Sequence, residues 1–287
     1  MQVKTVSLVL GSGGARGMAH IGVIRWLEEH NYKIESISGC SMGALIGGFY
    51  AAGKLDAYIG WLKDLDVLGI IKLLDFKGSG GLVSGTVLMQ KLEELVGDHT
   101  IETLPIKFTA VASDINEEKE IWMSTGSLLS AIRASISLPL FFTPHLYKGR
   151  LLVDGGVLNP VPIAPTFHDN TDMTIAVNLG GKVDLDIQLP STEVAEDDSI
   201  SFKITEYLKQ VKLPDMANSE NGVYKVADSS FDAMQGTIAR MKLAAYPPDV
   251  EIEVPRNLCG TLEFNRADEI IEYGYNLCEK LSQEDIL

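Results

Sequence analysis

The sequence predicts an α/β fold built on a mainly parallel sheet, and three observations carry that prediction. Near the N-terminus the apolar run 6–10 passes through a glycine-rich turn, 11–17, into a helical pattern at 18–30. The same order repeats at once. An alternating run at 34–38 meets the turn Gly39-Cys40-Ser41-Met42-Gly43, and a buried helix follows and ends at Gly53. Two more largely apolar runs, 107–113 and 174–179, read as central strands. Strands of that kind are buried on both faces and need helices to cover them. The chain has 287 residues, 46% of them hydrophobic, enough apolar surface for one large domain. No repeat or linker divides it, so residues 1–287 are taken as a single domain.

The first helix places Ile21, Ile24 and Leu27 on one face. The loop before it, Gly11-Ser12-Gly13-Gly14-Ala15-Arg16-Gly17, presents backbone N–H groups to an anion. A nucleotide phosphate calls for Gly-x-Gly-x-x-Gly. Counted from Gly11, the third glycine falls on Arg16; counted from Ser12, the first glycine is a serine. A Walker pattern is absent as well. A transient oxyanion fits better, because this loop and the turn after the second strand can lie side by side in a parallel sheet. Gly13 and Gly14 are then the candidate donors, with the N–H of Met42 as a third. Arg16 either serves that site or pairs with a carboxylate near the helix start.

The turn 39–43 has the form Gly-x-Ser-x-Gly between a strand and a helix, the context of a nucleophile elbow. Ser41 is the candidate nucleophile. Gly39 and Gly43 remove side chains that would clash with the strand and helix beside so sharp a bend. The helix begins at the serine, so its N-terminal dipole faces any negative charge built there.

Residues 54–81 mix Trp61, Leu62, Leu65, Leu73 and Phe76 with Lys and Asp. A lid or hydrophobic mouth and a helix packed on the core fit equally. Ser84 is placed as the cap of a helix running to Gly97, and Ser127 as the start of another ending before Pro139. Between them the strand 107–113 forms a hairpin with 120–124. A second hairpin turns at Lys148-Gly149-Arg150, and its return strand ends at Asp154-Gly155-Gly156. An acid at a strand end followed by glycines is where sheet enzymes place site residues. The segment 184–221 is acidic and broken by Pro190 and Pro214, a surface insertion around a short helix near 204–211. The C-terminal part, about 222–287, is mainly helical, with helices near 231–244 and 268–281 and a short strand at 250–254.

The formal net charge of −15 argues against a nucleic-acid binder and against tight adsorption to anionic membranes. The three cysteines, Cys40, Cys259 and Cys278, are odd in number and widely spaced, which fits reduced thiols in the cytoplasm. Cys40 is expected to point away from the serine as a small core residue. The N-terminal residues are too short for a signal core, and the longest uncharged run, 36–53, holds three serines and five glycines, a poor membrane span. No metal-ligand spacing and no cofactor motif is present in the sequence.

A serine nucleophile needs a base. The order Ser41, Asp154, His168 would allow a triad, but His168 lies in a polar loop. Three ordered signatures then resemble those of patatin-like phospholipases: Gly-Ser-Gly-Gly-Ala-Arg-Gly at 11–17, Gly-Cys-Ser-Met-Gly at 39–43 and Asp-Gly-Gly at 154–156. Ala134-Ser135-Ile136-Ser137-Leu138-Pro139 ahead of the last one matches too. The resemblance covers about residues 5–180. It implies a three-layer α/β/α fold and hydrolysis of lipid acyl esters by a Ser-Asp dyad without a histidine. By this resemblance Ser41 is the nucleophile and Asp154 the dyad acid. Gly13 and Gly14 form the oxyanion loop, and Arg16 and Gly17 close that motif. Ser12 stands where many members have glycine. The implied partner is a lipid or acyl-ester substrate, met in transient contact with a membrane or micelle. Two alternatives stay open: a Ser-His-Asp esterase, and a non-catalytic lipid- or nucleotide-binding regulatory protein on the same fold.

Overall fold

The computed structural model describes residues 3–65, 69, 73, 83–139, 141–185, 187 and 223–287. Strand β1 (Lys4–Leu10) opens the chain, and its last five residues are buried. A 3₁₀ turn, Gly14–Met18, leads into α1 (Ala19–Glu29). Strand β2 (Tyr32–Cys40) runs parallel to β1, and α2 (Met42–Ala51) follows after a single residue, Ser41. Helices α3 (Leu55–Lys63) and α4 (Thr86–Val96) come next. Strand β3 (Lys107–Asp114) folds back through β4 (Lys119–Met123). Helix α5 (Leu128–Ser135) precedes the hairpin β5 (His145–Tyr147) and β6 (Arg150–Asp154). The described chain closes with β7 (Met173–Gly181), α6 (Val223–Ala245), β8 (Val250–Pro255) and α7 (Ala267–Gln283).

The strands form one sheet in the order β5-β6-β3-β2-β1-β7-β8, with β4 paired to β3 off that path. The run β3-β2-β1-β7-β8 is parallel throughout, and β4, β5 and β6 are antiparallel additions. Leu10 pairs with Gly39, so the loop after β1 and the turn after β2 leave the sheet as neighbours. In a parallel sheet the strand ends that precede the helices gather on one edge, which is where such folds bind ligands.

Alternation along the strands separates the two covering layers. Leu8, Leu10, Ile175 and Val177 join the large cluster that includes Trp26, Phe49 and Ile271, from α1, α2 and α7. Val9 and Ala176 face the other way and pack with Ala239 and Leu243 of α6. The fold is therefore a three-layer α/β/α sandwich with a mainly parallel central sheet.

The elements follow the local signals closely. Ser127 caps α5 by accepting the Ser130 N–H. Ser84 does not cap α4. Its Oγ accepts the Thr86 N–H at 3.2 Å, but the cap residue is Gly85, whose φ of 75° suits glycine. Beyond residue 181, β8 extends the central sheet and α7 packs on α1, so the sheet does not stop where the motifs stop. The expected helix near 204–211 and most of the acidic segment 184–221 lie outside the described residues, as does most of 66–82.

Candidate active site

Ser41 is the single residue between β2 and α2, held at φ 55° and ψ −122° and 9% exposed. Such backbone is strained for a non-glycine residue and persists only when its surroundings impose it. Here they do. The Ser41 N–H donates to Ser135 Oγ at 2.9 Å, and that hydroxyl donates to Val111 O at 2.6 Å. The Ser41 carbonyl accepts from Ala44 and Leu45 in the first turn of α2. A Cβ on Gly43 would sit 2.0 Å from Leu10 O, and one on Gly39 would sit 2.4 Å from Gly43 O, so the bend closes only with glycine at both places. Among the described residues the Met42 N–H has no hydrogen-bond partner, as expected at the start of a helix.

The glycine loop is held at both ends and open in the middle. Gly11 N–H donates to Val177 O at 3.0 Å, Ser12 N–H to Pro160 O at 2.8 Å and Ala15 N–H to Thr261 O at 2.9 Å. The Gly13 and Gly14 N–H groups between them have no partner among the described residues. Gly14 has φ 55°, and a Cβ there would meet Thr261 O at 2.5 Å. A Cβ on Gly17 would meet the Met42 Cβ at 2.4 Å, so the loop and the start of α2 touch directly. Gly14, Ser41 and Met42 line one cavity of about 130 Å³. Its remaining walls are apolar and include Trp61, Leu62, Leu65 and Leu73 from the segment with two readings. Part of that segment, Leu55, Tyr58 and Ile59, is buried in the core, as the packed-helix reading expects.

Asp154 ends β6 and is fully buried. Its Oδ1 accepts the Gly156 N–H at 2.7 Å, while Oδ2 meets no donor at hydrogen-bond geometry. Gly155 packs against the Val111 carbonyl, where a Cβ would come within 2.2 Å. Burial pushes the Asp154 carboxyl up from 3.8 to about 6, against the smaller opposing pulls of the Ser41 hydroxyl, the Gly156 N–H and Cys40. Cys40 departs from expectation. It is buried, but it faces the acid, with Sγ 3.9 Å from Asp154 Oδ1, and burial together with that carboxylate drives its thiol pKa well up.

The other candidates separate. Arg16 is buried, and its guanidinium donates to Arg256 O at 2.8 Å and pairs with Asp232 at 3.1 Å. It thus pairs with a carboxylate, as one of its two readings expects, and that carboxylate is supplied by α6. His168 is exposed, and its neighbour Asp169 bonds Ser7 and Lys107 toward the N-terminal ends of the parallel strands. That is the opposite edge from Ser41. His20 is buried in α1 with Nε2 2.9 Å from Gly11 O, and burial lowers its pKa to about 4. Ser135, which orients the elbow, lay within a recognised motif but carried no sign of its role. Asp232 and Gln235 lie more than 200 residues from the loop they touch, and no local pattern points to them.

Comparison with known proteins adds an independent line. The sequence model of the family described as patatin-like phospholipase matches residues 8–167. An uncharacterized NTE family protein of Mycobacterium tuberculosis is 38% identical, over 94% of this chain and 89% of that protein. Lysophospholipase nte1 of Neurospora crassa is 27% identical over 99% of this chain and 19% of its own length. Patatin-like phospholipase domain-containing protein 6 of Homo sapiens is 26% identical over 95% of this chain and 20% of its own length. This chain thus corresponds to about a fifth of those two larger relatives. Among solved structures, VipD from Legionella pneumophila has the same fold, with TM-score 0.54, 15% identity, and coverage of 98% of this chain and 67% of that one. Among the described residues, no helix is long and apolar enough to cross a membrane.

Proposed function

We propose that this chain, which belongs to the patatin-like phospholipase family and is an ester hydrolase, cleaves lipid acyl esters with a Ser41–Asp154 dyad. The observation that carries this reading is Asp154: a fully buried carboxylate with one uncommitted oxygen, beside a strained serine. A carboxylate in water is a poor base for a serine hydroxyl. Burial makes Asp154 a stronger one, and a pKa near 6 leaves it ionised at neutral pH.

Ser41 Oγ attacks the ester carbonyl as its proton passes to Asp154. The new oxyanion is met by the unpartnered Gly13, Gly14 and Met42 N–H groups and by the N-terminal dipole of α2. The proton returns from Asp154 to the leaving alcohol, and an acyl-enzyme remains. Water then attacks with Asp154 again as base, the proton passes from Asp154 to Ser41 Oγ as the Oγ–acyl bond breaks, and the fatty acid leaves. Every step uses side chains and amides of this chain, with neither metal nor cofactor. The acyl chain lies in the apolar cavity that begins at Ser41. The name of the Neurospora relative, lysophospholipase, makes a monoacyl lipid the first substrate to try, met at a membrane or micelle surface. Three unpaired, buried cysteines support a placement in the cytoplasm.

Labelling with a fluorophosphonate ester tests this reading. Wild type should become covalently modified at Ser41, and Ser41→Ala should not. Labelling elsewhere, or none in well-folded wild type, sinks the proposal. His168→Ala with near-zero turnover would restore the triad.

A further inference from the structure

We propose that Gln235 is a positioning residue that locks the glycine loop to the Asp154 turn through the hydroxyl of Ser12. This rests on the pairing of Ser41 with Asp154 proposed above. Gln235 lies on α6 and is 8% exposed. Its Nε2 donates to Ser12 Oγ at 3.3 Å, across 223 residues of sequence. Gly156, whose N–H holds Asp154 Oδ1, packs against the same two groups. A Cβ there would lie 2.2 Å from Gln235 Nε2, 2.7 Å from Ser12 Oγ and 3.1 Å from Asp154 Oδ1. Those three polar groups therefore surround one point, and only a glycine at 156 lets them do so.

One side chain thus touches both halves of the site. Ser12 is the residue before Gly13 and Gly14, and its own N–H is anchored on Pro160 O. A second tie lies one turn earlier on the same helix, where Asp232 pairs with Arg16. The acceptor is the Ser12 side chain itself. A glycine offers no acceptor, whereas the serine hydroxyl gives Gln235 one. Both partners are buried, so removing either leaves the other without a bond. The loop then relaxes, and a displacement on the order of 1 Å at donor amides costs up to about 100-fold in rate.

The test compares Gln235→Leu, Ser12→Ala and the double variant with wild type on a p-nitrophenyl acyl ester, with Ser41→Ala as the inactive reference. Each single change should lower kcat about tenfold or more with KM held within about twofold. The double variant should be no slower than the slower single, because both break one contact. Ser41 should still be labelled to completion by a fluorophosphonate, only more slowly. Failure of the dyad reading looks different, since His168→Ala would then lose turnover or Ser41 would escape labelling in wild type too. Gln235→Glu gives a second readout. A carboxylate beside Asp154 should move the acid limb of kcat/KM up by about half a pH unit or more, which loss of packing would not do. Wild-type kcat in Ser12→Ala, a change confined to KM, losses that add, or an unmoved acid limb in Gln235→Glu would each overturn the proposal. Ser12→Ala and Gln235→Glu decide the matter if Gln235→Leu does not fold.

Discussion

At the N-terminal ends of the parallel strands, polar groups are matched to one another. Asp172 accepts from the Thr5 N–H at 2.7 Å and from its hydroxyl at 2.8 Å. Asp169 accepts from Ser7 Oγ at 2.8 Å and pairs with Lys107. At the C-terminal ends of the same strands the pattern inverts. Ser41 sits at positive φ, three neighbouring amides have no partner among the described residues, and a buried carboxylate keeps one oxygen unbonded. Unpaired buried polar groups cost free energy, and strained backbone adds to that cost. One end of the sheet is arranged for stability. The other gives stability up, and the groups left unsatisfied are the ones the transition state of the proposed reaction would satisfy.

The sharpest way to break this contrast is Ser41→Ala. Turnover of a p-nitrophenyl acyl ester should vanish while the melting temperature holds. Asp154→Asn should reduce turnover about as far, because the two groups act as a unit. Activity surviving above a few per cent in either would remove that residue from the chemistry. Gly14→Ala comes next. It adds a side chain at φ 55° against Thr261 O and should cost on the order of 100- to 1000-fold in kcat. Unchanged turnover in a folded Gly14→Ala protein would move the oxyanion site elsewhere.

The buried acid links activity and stability with opposite signs. The proposed dyad needs ionised Asp154, so kcat/KM should rise with pH through about 6. Stability runs the other way. The folded protein holds this proton more tightly than the unfolded chain, so the contribution of this group falls as pH rises from about 4 to about 6 and stays low above that. A displacement of about two pH units corresponds to a penalty on the order of 2–3 kcal/mol at neutral pH. Asp154→Asn should recover a good part of it, measured by urea denaturation at pH 8 and absent at pH 4. A variant equally stable or weaker at pH 8 would show that the carboxylate is not strained.

At the matched end the effects should reverse. Asp169→Ala removes a buried acceptor and should lower stability by about 2 kcal/mol with kcat/KM within twofold of wild type. A large loss of activity there would mean that the two ends are coupled. Smallest of all is His168→Ala, an exposed side chain at the matched end, expected to change neither quantity measurably.

Much of this architecture is legible along the chain, because its causes are local. Strand, glycine turn and helix occur twice in succession. The bend at Ser41 is local as well, since its glycines sit within two residues of it. The acid at Asp154 is visible as a strand end before two glycines. What folding adds are contacts between residues far apart in sequence. Cys40 reads as a small core residue pointing away from the serine; it is buried, but its thiol meets Asp154, because the hairpin that brings the acid starts a hundred residues later. Arg16 looks like a helix-start cation, but its partner Asp232 arrives on a helix from the far end of the chain. Ser12 reads as a departure from a glycine motif until Gln235 comes to lie over it. The Asp154 pKa is decided the same way. A sequence shows that a carboxylate is present, but desolvation comes only from the layers that close over it. Local backbone chemistry therefore dictates where the reactive groups stand along the chain, and burial and long-range packing dictate how strongly each of them reacts.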